Sequence, residues 1–211
     1  IFRIFEDSRG DIWIATTLPN ELLRWERSVN IWHNYTREAG FSTRRIGTAF
    51  AEDTFGNLWI ATGLDDAALV RYRDGQFRVF TQGEGAPREW TRDLFLDHAG
   101  RLWLANTAAG LLRLDNPNDE GLQFVKYTTS NGLSSNGSHC VTEDEFGRIY
   151  VGSGRGLDRL DPETGQIENF TTADGLPDSD VQLAYRDRNN ILWFATTNGL
   201  SRLIPEPERQ R

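Results

Sequence analysis

The 211-residue chain contains no methionine, a single cysteine, Cys140, and a single lysine, Lys126. One thiol excludes an internal disulfide and any cysteine-rich metal site. A complete translation product begins with methionine, so its absence points to a chain processed or excised from a longer one. No run of about 18 apolar residues occurs, so no segment is suited to span a membrane as a helix. The opening stretch, Ile1 to Gly10, carries charge from its third residue and does not read as a signal peptide. No stretch shows a sustained apolar period of about 3.6 residues, which predicts essentially no helix. Basic residues are outnumbered 23 to 31, a net charge of −8. That balance argues against DNA, RNA or an anionic membrane as partner, because neutralising phosphates takes a basic face. The composition, 26% charged and 38% hydrophobic, is that of a folded chain, and the length suits one domain.

What the sequence does contain is a repeat. Asp7 to Ala15, Asp53 to Ala61, Asp97 to Ala105, Asp144 to Gly152 and Asp187 to Ala195 are five copies of one pattern. Its aromatic anchors are Trp13, Trp59, Trp103, Tyr150 and Trp193, spaced by 46, 44, 47 and 43 residues. Each copy opens on a tight turn with Asp at its first position and Gly10, Gly56, Gly100, Gly147 or Asn190 at its fourth. Asp bonds nearby backbone N–H groups, and glycine supplies a positive φ. Asparagine is the best non-glycine residue for that conformation, so Asn190 supports the turn.

A short segment before each turn and the anchor-bearing segment after it read as a β-hairpin. A third segment centres on an arginine: Arg24, Arg71, Arg113, Arg159 and Arg202. A fourth ends in an aromatic residue and threonine, as in Tyr35-Thr36, Phe80-Thr81, Tyr127-Thr128 and Phe170-Thr171. Glycine-centred loops follow at Ala39 to Phe41, Asn131 to Leu133 and Asp174 to Pro177.

Four short antiparallel strands every 40 to 50 residues predict an all-β fold, a β-propeller of four-stranded blades. A β-solenoid, the rival, usually has shorter coils. The expected blades are residues 1–41, 42–87, 88–133, 134–176 and 177–204, with 205–211 as a linker. Four are complete and the fifth lacks its outer strand, so a larger propeller, an open five-bladed ring or pairing between copies are all open. The anchors are expected to pack between neighbouring blades, and the repeated arginines to serve the structure.

The combined motif of Asp-x-x-Gly-x-Leu-Trp-Ile-Ala-Thr, Gly-Leu-x-Arg-Leu, aromatic-Thr and Asp-Gly-Leu-Pro resembles the two-component regulator propeller repeat. Asp144 to Thr172 and Asp187 to Leu203 fit it best, while Leu18 to Glu21 and Leu64 to Ala68 depart from it in the loop after the anchor strand. The resemblance implies the periplasmic sensor region of a hybrid membrane-bound histidine kinase, commonly two seven-bladed propellers followed by a β-sandwich. It implies a carbohydrate ligand, as in several relatives, and no kinase chemistry in this portion. The Pro-rich exit after Leu203 resembles the junction to the sandwich.

No catalytic constellation stands out. His33, His98 and His139 lie in three different repeats without metal spacing. There is no nucleophile elbow or phosphate loop, and Gly152 to Gly156 reads as a hairpin between strands. Neither a metal nor a cofactor is expected. The acid pairs Asp65-Asp66 and Asp178-Asp180 are candidates for an ion or for acid–base chemistry, against the plainer reading of solvated loop acids. Better candidates for ligand recognition lie between one blade's outer strand and the next blade's inner strand. They are Arg44, Arg45, Arg88, Trp90, Arg92, Asn136, His139, Asp178 and Asp180. Arginine and tryptophan beside polar groups suit a sugar or a carboxylate, by stacking and bidentate bonds. The expected function is a non-catalytic sensor module for a small ligand such as a glycan fragment. A dimerisation scaffold and a propeller lyase or hydrolase are the alternatives. Expected partners are that ligand and, through open sheet edges, further blades or copies, without nucleic acid or direct membrane contact.

Overall fold

The computed structural model describes residues 1–36, 47–62 and 67–207. Its nineteen described strands form five antiparallel sheets in simple sequence order, the blades of a β-propeller. The first sheet holds β1 (Arg3–Glu6), β2 (Ile12–Ala15), β3 (Leu22–Glu26) and β4 (Ile31–Asn34). The second holds β5 (Ala49–Glu52), β6 (Leu58–Ala61), β7 (Ala67–Arg73) and β8 (Gln76–Thr81). The third is β9 (Thr91–Leu96), β10 (Leu102–Asn106), β11 (Gly110–Leu114) and β12 (Phe124–Tyr127). The fourth is β13 (Ser138–Glu143), β14 (Ile149–Ser153), β15 (Gly156–Leu160) and β16 (Ile167–Phe170). The fifth has three strands, β17 (Val181–Arg186), β18 (Leu192–Thr196) and β19 (Gly199–Leu203). The chain divides into two compact units, Ile1–Leu104 with Arg113–Val125, and Ala105–Leu112 with Lys126–Arg211.

The repeat signature works as a lock. In the first hairpin Asp7 Oδ1 accepts the Arg9 and Asp11 amides at 3.0 and 2.9 Å, and Oδ2 accepts the Trp13 indole N–H at 2.9 Å. The indole bond recurs from Trp59 to Asp53 at 2.9 Å, from Trp103 to Asp97 at 2.7 Å and from Trp193 to Asp187 at 3.0 Å. In the fourth copy the Tyr150 hydroxyl replaces the indole and donates to Asp144 at 3.2 Å. Burial and the Asp144 charge push that phenol up to about 12, which keeps its proton in place. One carboxylate thus fixes both the turn and the anchor ring of its own blade. The fourth turn position has φ of +81° at Gly10 and +61° at Asn190, the left-handed region that the sequence predicts there.

Two of the anchors meet an aromatic ring of the neighbouring sheet. Trp13 meets Tyr72 of the second sheet edge-on at 5.0 Å, and Tyr150 meets Phe194 of the fifth at 5.8 Å. Trp13, Trp59, Trp103 and Tyr150 are almost completely buried, whereas Trp193 is half-buried. The aromatic of the fourth strand covers its own blade's anchor: Tyr35 stacks on Trp13 at 5.7 Å and Phe80 on Trp59 at 5.5 Å. The threonine after it opens a single 3-10 turn at Gln82–Glu84, Thr129–Asn131 and Thr172–Asp174. Glu84, Asn131 and Asp174 reach back to the amides of Thr81, Thr128 and Thr171 at 2.9 to 3.0 Å. The loops at Asn131–Leu133 and Asp174–Pro177 therefore begin with capped turns, while Ala39 to Phe41 lies outside the described residues.

The repeated arginines differ by position. Arg24 donates to Asp11 at 2.6 Å and to the Tyr72 hydroxyl of the second sheet at 3.2 Å. Arg71 donates to the carbonyls of Pro117 and Asp119, in the segment leading to β12, at 3.2 and 2.9 Å. Arg159 pairs within its own sheet with Glu168 at 2.6 Å, and Arg202 is exposed. Burial alone would raise the Asp11 carboxyl, but the Arg24 guanidinium and the Arg27 amide outweigh it and hold the group below the usual range. A carboxyl depressed in the folded state stabilises the fold above its unfolded value, and that contribution is lost as pH falls through the folded one. Asp11→Asn should therefore flatten the loss of stability below about pH 4. Urea midpoints across that range check it, and slopes identical to the wild type would remove Asp11 from the account.

Candidate functional site

The sequence candidates fall into two groups, one in each unit. In the first unit Trp90 precedes β9 and Arg92 lies within it, both half-buried. The Arg92 guanidinium stands 5.8 Å from the Trp90 ring centre. The start of this strand is held by Arg3 of β1, which donates to the carbonyls of Thr48 at 2.9 Å and Arg92 at 3.0 Å. Thr48 in turn donates its hydroxyl to the Thr91 carbonyl at 2.7 Å. The inner strands of the first three sheets are thus tied together beside the Trp90–Arg92 pair.

In the second unit His139 and Asp180 come together. His139 Nδ1 lies 3.4 Å from Asp180 Oδ1 and 3.2 Å from the Val181 carbonyl. Gln182 Nε2 donates to Asp180 at 2.5 Å and stands 3.5 Å from His139 Nδ1. Asp178 does not join them: its Oδ1 accepts the Asp180 amide at 3.0 Å and shapes the turn into β17. The backbone supplies the reason for the cluster. The register of β13 on β14 slips between Ser138 and Cys140, and that of β17 on β18 between Val181 and Leu183. His139 and Gln182 are the extra residues of these two bulges, and a bulge re-aims the side chain it carries. Gly154, in the β14–β15 turn, lies against them; a Cβ there would be in ordinary van der Waals contact, 3.9 Å from Asp180 Oδ1 and from His139 Cε1.

His139, like Arg92, is thus a strand residue rather than a loop residue. Asn136 and Arg88 are exposed, and the Asn136 side chain accepts the Thr129 amide at 2.8 Å. Arg44, Arg45, Asp65 and Asp66 lie outside the described residues. Among the described residues no three His, Cys, Asp or Glu side chains gather as a metal site. No described helix is long and apolar enough to cross a membrane.

Sequence reasoning missed Gln182, although a signal was present. Arg92, His139 and Gln182 each stand five residues before their repeat's turn aspartate, and Trp90 and Asp180 each stand seven before it. Between the conserved-looking turns of this one chain, these two positions carry a different residue in every described copy. Positions that repeat in space but vary in chemistry are those at which a propeller presents different groups from one scaffold.

The comparisons with known proteins follow the same lines. The family model described as "two component regulator propeller" matches residues 1–17 and 175–198. No curated protein matches the chain. Among solved structures, the extracellular domain assigned to the hybrid two-component system BT3049 of B. thetaiotaomicron is 21% identical with a TM-score of 0.83. That likeness covers 97% of this chain and 27% of the other. The corresponding domain of BT4673 from B. thetaiotaomicron is 24% identical with a TM-score of 0.76, over 100% of this chain and 30% of that one. A catalytically inactive virginiamycin B lyase from Staphylococcus aureus is 16% identical with a TM-score of 0.69, over 94% of this chain and 68% of the lyase. The chain therefore spans less than a third of the two-component domains that it resembles. The turn-and-anchor motif in five blades makes this chain a β-propeller, similar at residues 1–17 and 175–198 to the two-component regulator propeller.

Proposed function

We propose that the chain is a non-catalytic, ligand-sensing propeller module from the periplasmic part of a two-component signalling protein, and that its ligand is small, of the glycan class. The observation that carries this reading is the pair of variable repeat positions at the inner strands, which hold Trp90, Arg92, His139, Asp180 and Gln182 on a scaffold of two-component regulator propeller repeats. In the first unit the indole of Trp90 offers a stacking face and the Arg92 guanidinium a donor for hydroxyl or carboxylate groups; in the second unit the His139–Asp180–Gln182 cluster, taken by itself, offers donors and acceptors. The likeness to extracellular domains of hybrid two-component systems supports the same setting.

Calorimetric titration of the chain with a panel of neutral and acidic oligosaccharides tests the reading. At least one class should bind saturably, and Trp90→Ala or Arg92→Ala should weaken it by about tenfold or more, the worth of a buried aromatic or charged contact. No saturable binding across the panel would count against it. The His139–Asp180 pair favours a second reading, a propeller lyase with His139 as base. Turnover of a bound sugar that disappears in His139→Ala would establish it in place of the first.

A further inference from the structure

Across β7 and β8 the register sets Arg71 directly opposite Arg78. Like charges that face each other across a strand pair repel, so this placement needs an anion between them. The fourth sheet avoids the conflict, because Arg159 there faces Glu168. In the second sheet the anion is brought by a different segment of the first unit. The connection between β11 and β12, residues 115–123, is the longest of its kind among the described blades. It carries Glu120 over the arginine pair, with Oε1 3.1 Å from Arg71 Nη2 and Oε2 3.1 Å from Arg78 Nη1.

Other groups hold the two arginines in place. Arg71 is almost completely buried, and its Nη1 donates to the carbonyls of Pro117 and Asp119 at 3.2 and 2.9 Å. Its guanidinium stands 5.7 Å from the Trp59 ring centre and 5.6 Å from that of Phe80. Arg78 Nη2 donates to the Glu120 carbonyl at 2.8 Å and to the Glu84 carboxylate at 3.3 Å, and its guanidinium stands 4.7 Å from the Phe80 ring centre. Backbone carbonyls and aromatic faces thus set the clamp, and the Glu120 carboxylate fills the place between its arms. It does so from the surface: the Glu120 side chain is 71% exposed, that of Arg71 only 4%.

We propose that Arg71 and Arg78 form an oxyanion-binding site, in which the Glu120 carboxylate is an internal stand-in that the carboxylate, phosphate or sulfate group of a ligand displaces. Two guanidinium groups offer charge-assisted donors to the oxygens of one such group. Displacement needs only rotation of the Glu120 side chain, because the carbonyls that hold Arg71 and Arg78 belong to the backbone of the connection. A tethered occupant acts as a competitor at fixed effective concentration, so it sets the threshold above which an external anion binds. This site is independent of the ligand reading above, because it shares no residue with Trp90, Arg92, His139, Asp180 or Gln182.

The test is calorimetric titration of the whole chain with sulfate, inorganic phosphate and glucuronate in turn, at an ionic strength held constant with chloride. At least one of the three should bind saturably to Glu120→Gln, about tenfold more tightly than to the wild type, as removal of a competing occupant requires. The same anion should raise the thermal midpoint of Glu120→Gln along the same saturation curve, which the mere loss of a structural ion pair would not produce. Arg78→Gln added to Glu120→Gln should abolish both responses. A preference for glucuronate assigns the site to carboxylates, and a preference for sulfate or phosphate assigns it to tetrahedral oxyanions. Equal affinity in the wild type and Glu120→Gln, binding that survives Arg78→Gln, or no binding of any of the three to Glu120→Gln would overturn the proposal.

Discussion

Asp53→Ala is expected to cost about 3 to 5 kcal/mol of folding stability, far more than the removal of one surface carboxylate. Asp53 is a single acceptor for four donors: the Phe55 and Asn57 amides at 2.9 Å each, the Asn57 side chain at 2.8 Å and the Trp59 indole at 2.9 Å. Water can replace the acid at the rim of the turn. It cannot reach the Trp59 indole, which is 0% exposed, so that N–H would be left buried and unmet. The matching change in the fifth blade should be mild. Asp187 makes three of these bonds, to the Asn189 and Ile191 amides and the Trp193 indole, which first among them holds its carboxyl below the ordinary range, but Trp193 is half-buried and open to water. Asp187→Ala should lose clearly less than Asp53→Ala. Urea unfolding of the two variants compares them, and equal losses would mean that the indole bond is not what makes the lock expensive to break.

The second large effect is expected from Gly152→Ala, at about 2 to 3 kcal/mol. Four of the five repeats carry alanine here, at Ala15, Ala61, Ala105 and Ala195, so the change restores the pattern of the chain and would pass as harmless by sequence alone. A Cβ at position 152 would sit 2.5 Å from Cys140 Sγ and 2.7 Å from a Val181 methyl group, both among buried side chains. Close-packed interiors transmit such overlap as backbone strain rather than absorbing it. Cys140→Ala removes the nearer obstacle, so Gly152→Ala in the Cys140→Ala background should recover part of the loss. Thermal unfolding of the two single variants and the double variant forms the cycle. Strict additivity would show that Cys140 is not the reason for the glycine.

Both effects show where a repeat sequence is readable and where it is not. The turn aspartates and glycines, the hairpins and the near absence of helix among the described residues were all legible, because each rests on residues close in sequence whose backbone preferences repeat five times. Packing of an anchor on the next blade, as at Trp13 and Tyr150, was legible too, since a large ring on a sheet face has the neighbouring blade to fill. The indole bond to the turn aspartate was present as a constant interval of six residues in every copy, yet composition and pattern alone do not say which way a ring nitrogen points. Among the site candidates, Trp90 with Arg92 and His139 with Asp180 were named from sequence as departures from the repeat. Gln182 was overlooked because it looks like an ordinary exposed strand residue.

By itself, then, the sequence determined the blade: its period, its turn chemistry and its anchor, all consequences of short-range steric and hydrogen-bonding rules. Only the tertiary structure decided which side chains meet. The bulges that turn His139 and Gln182 toward Asp180 come from how one strand slips on the next, and so does the crowding that demands glycine at 152. Contacts of that kind join residues more than forty positions apart, such as His139 and Gln182. Their geometry depends on side-chain volumes in two sheets at once, which no single repeat encodes.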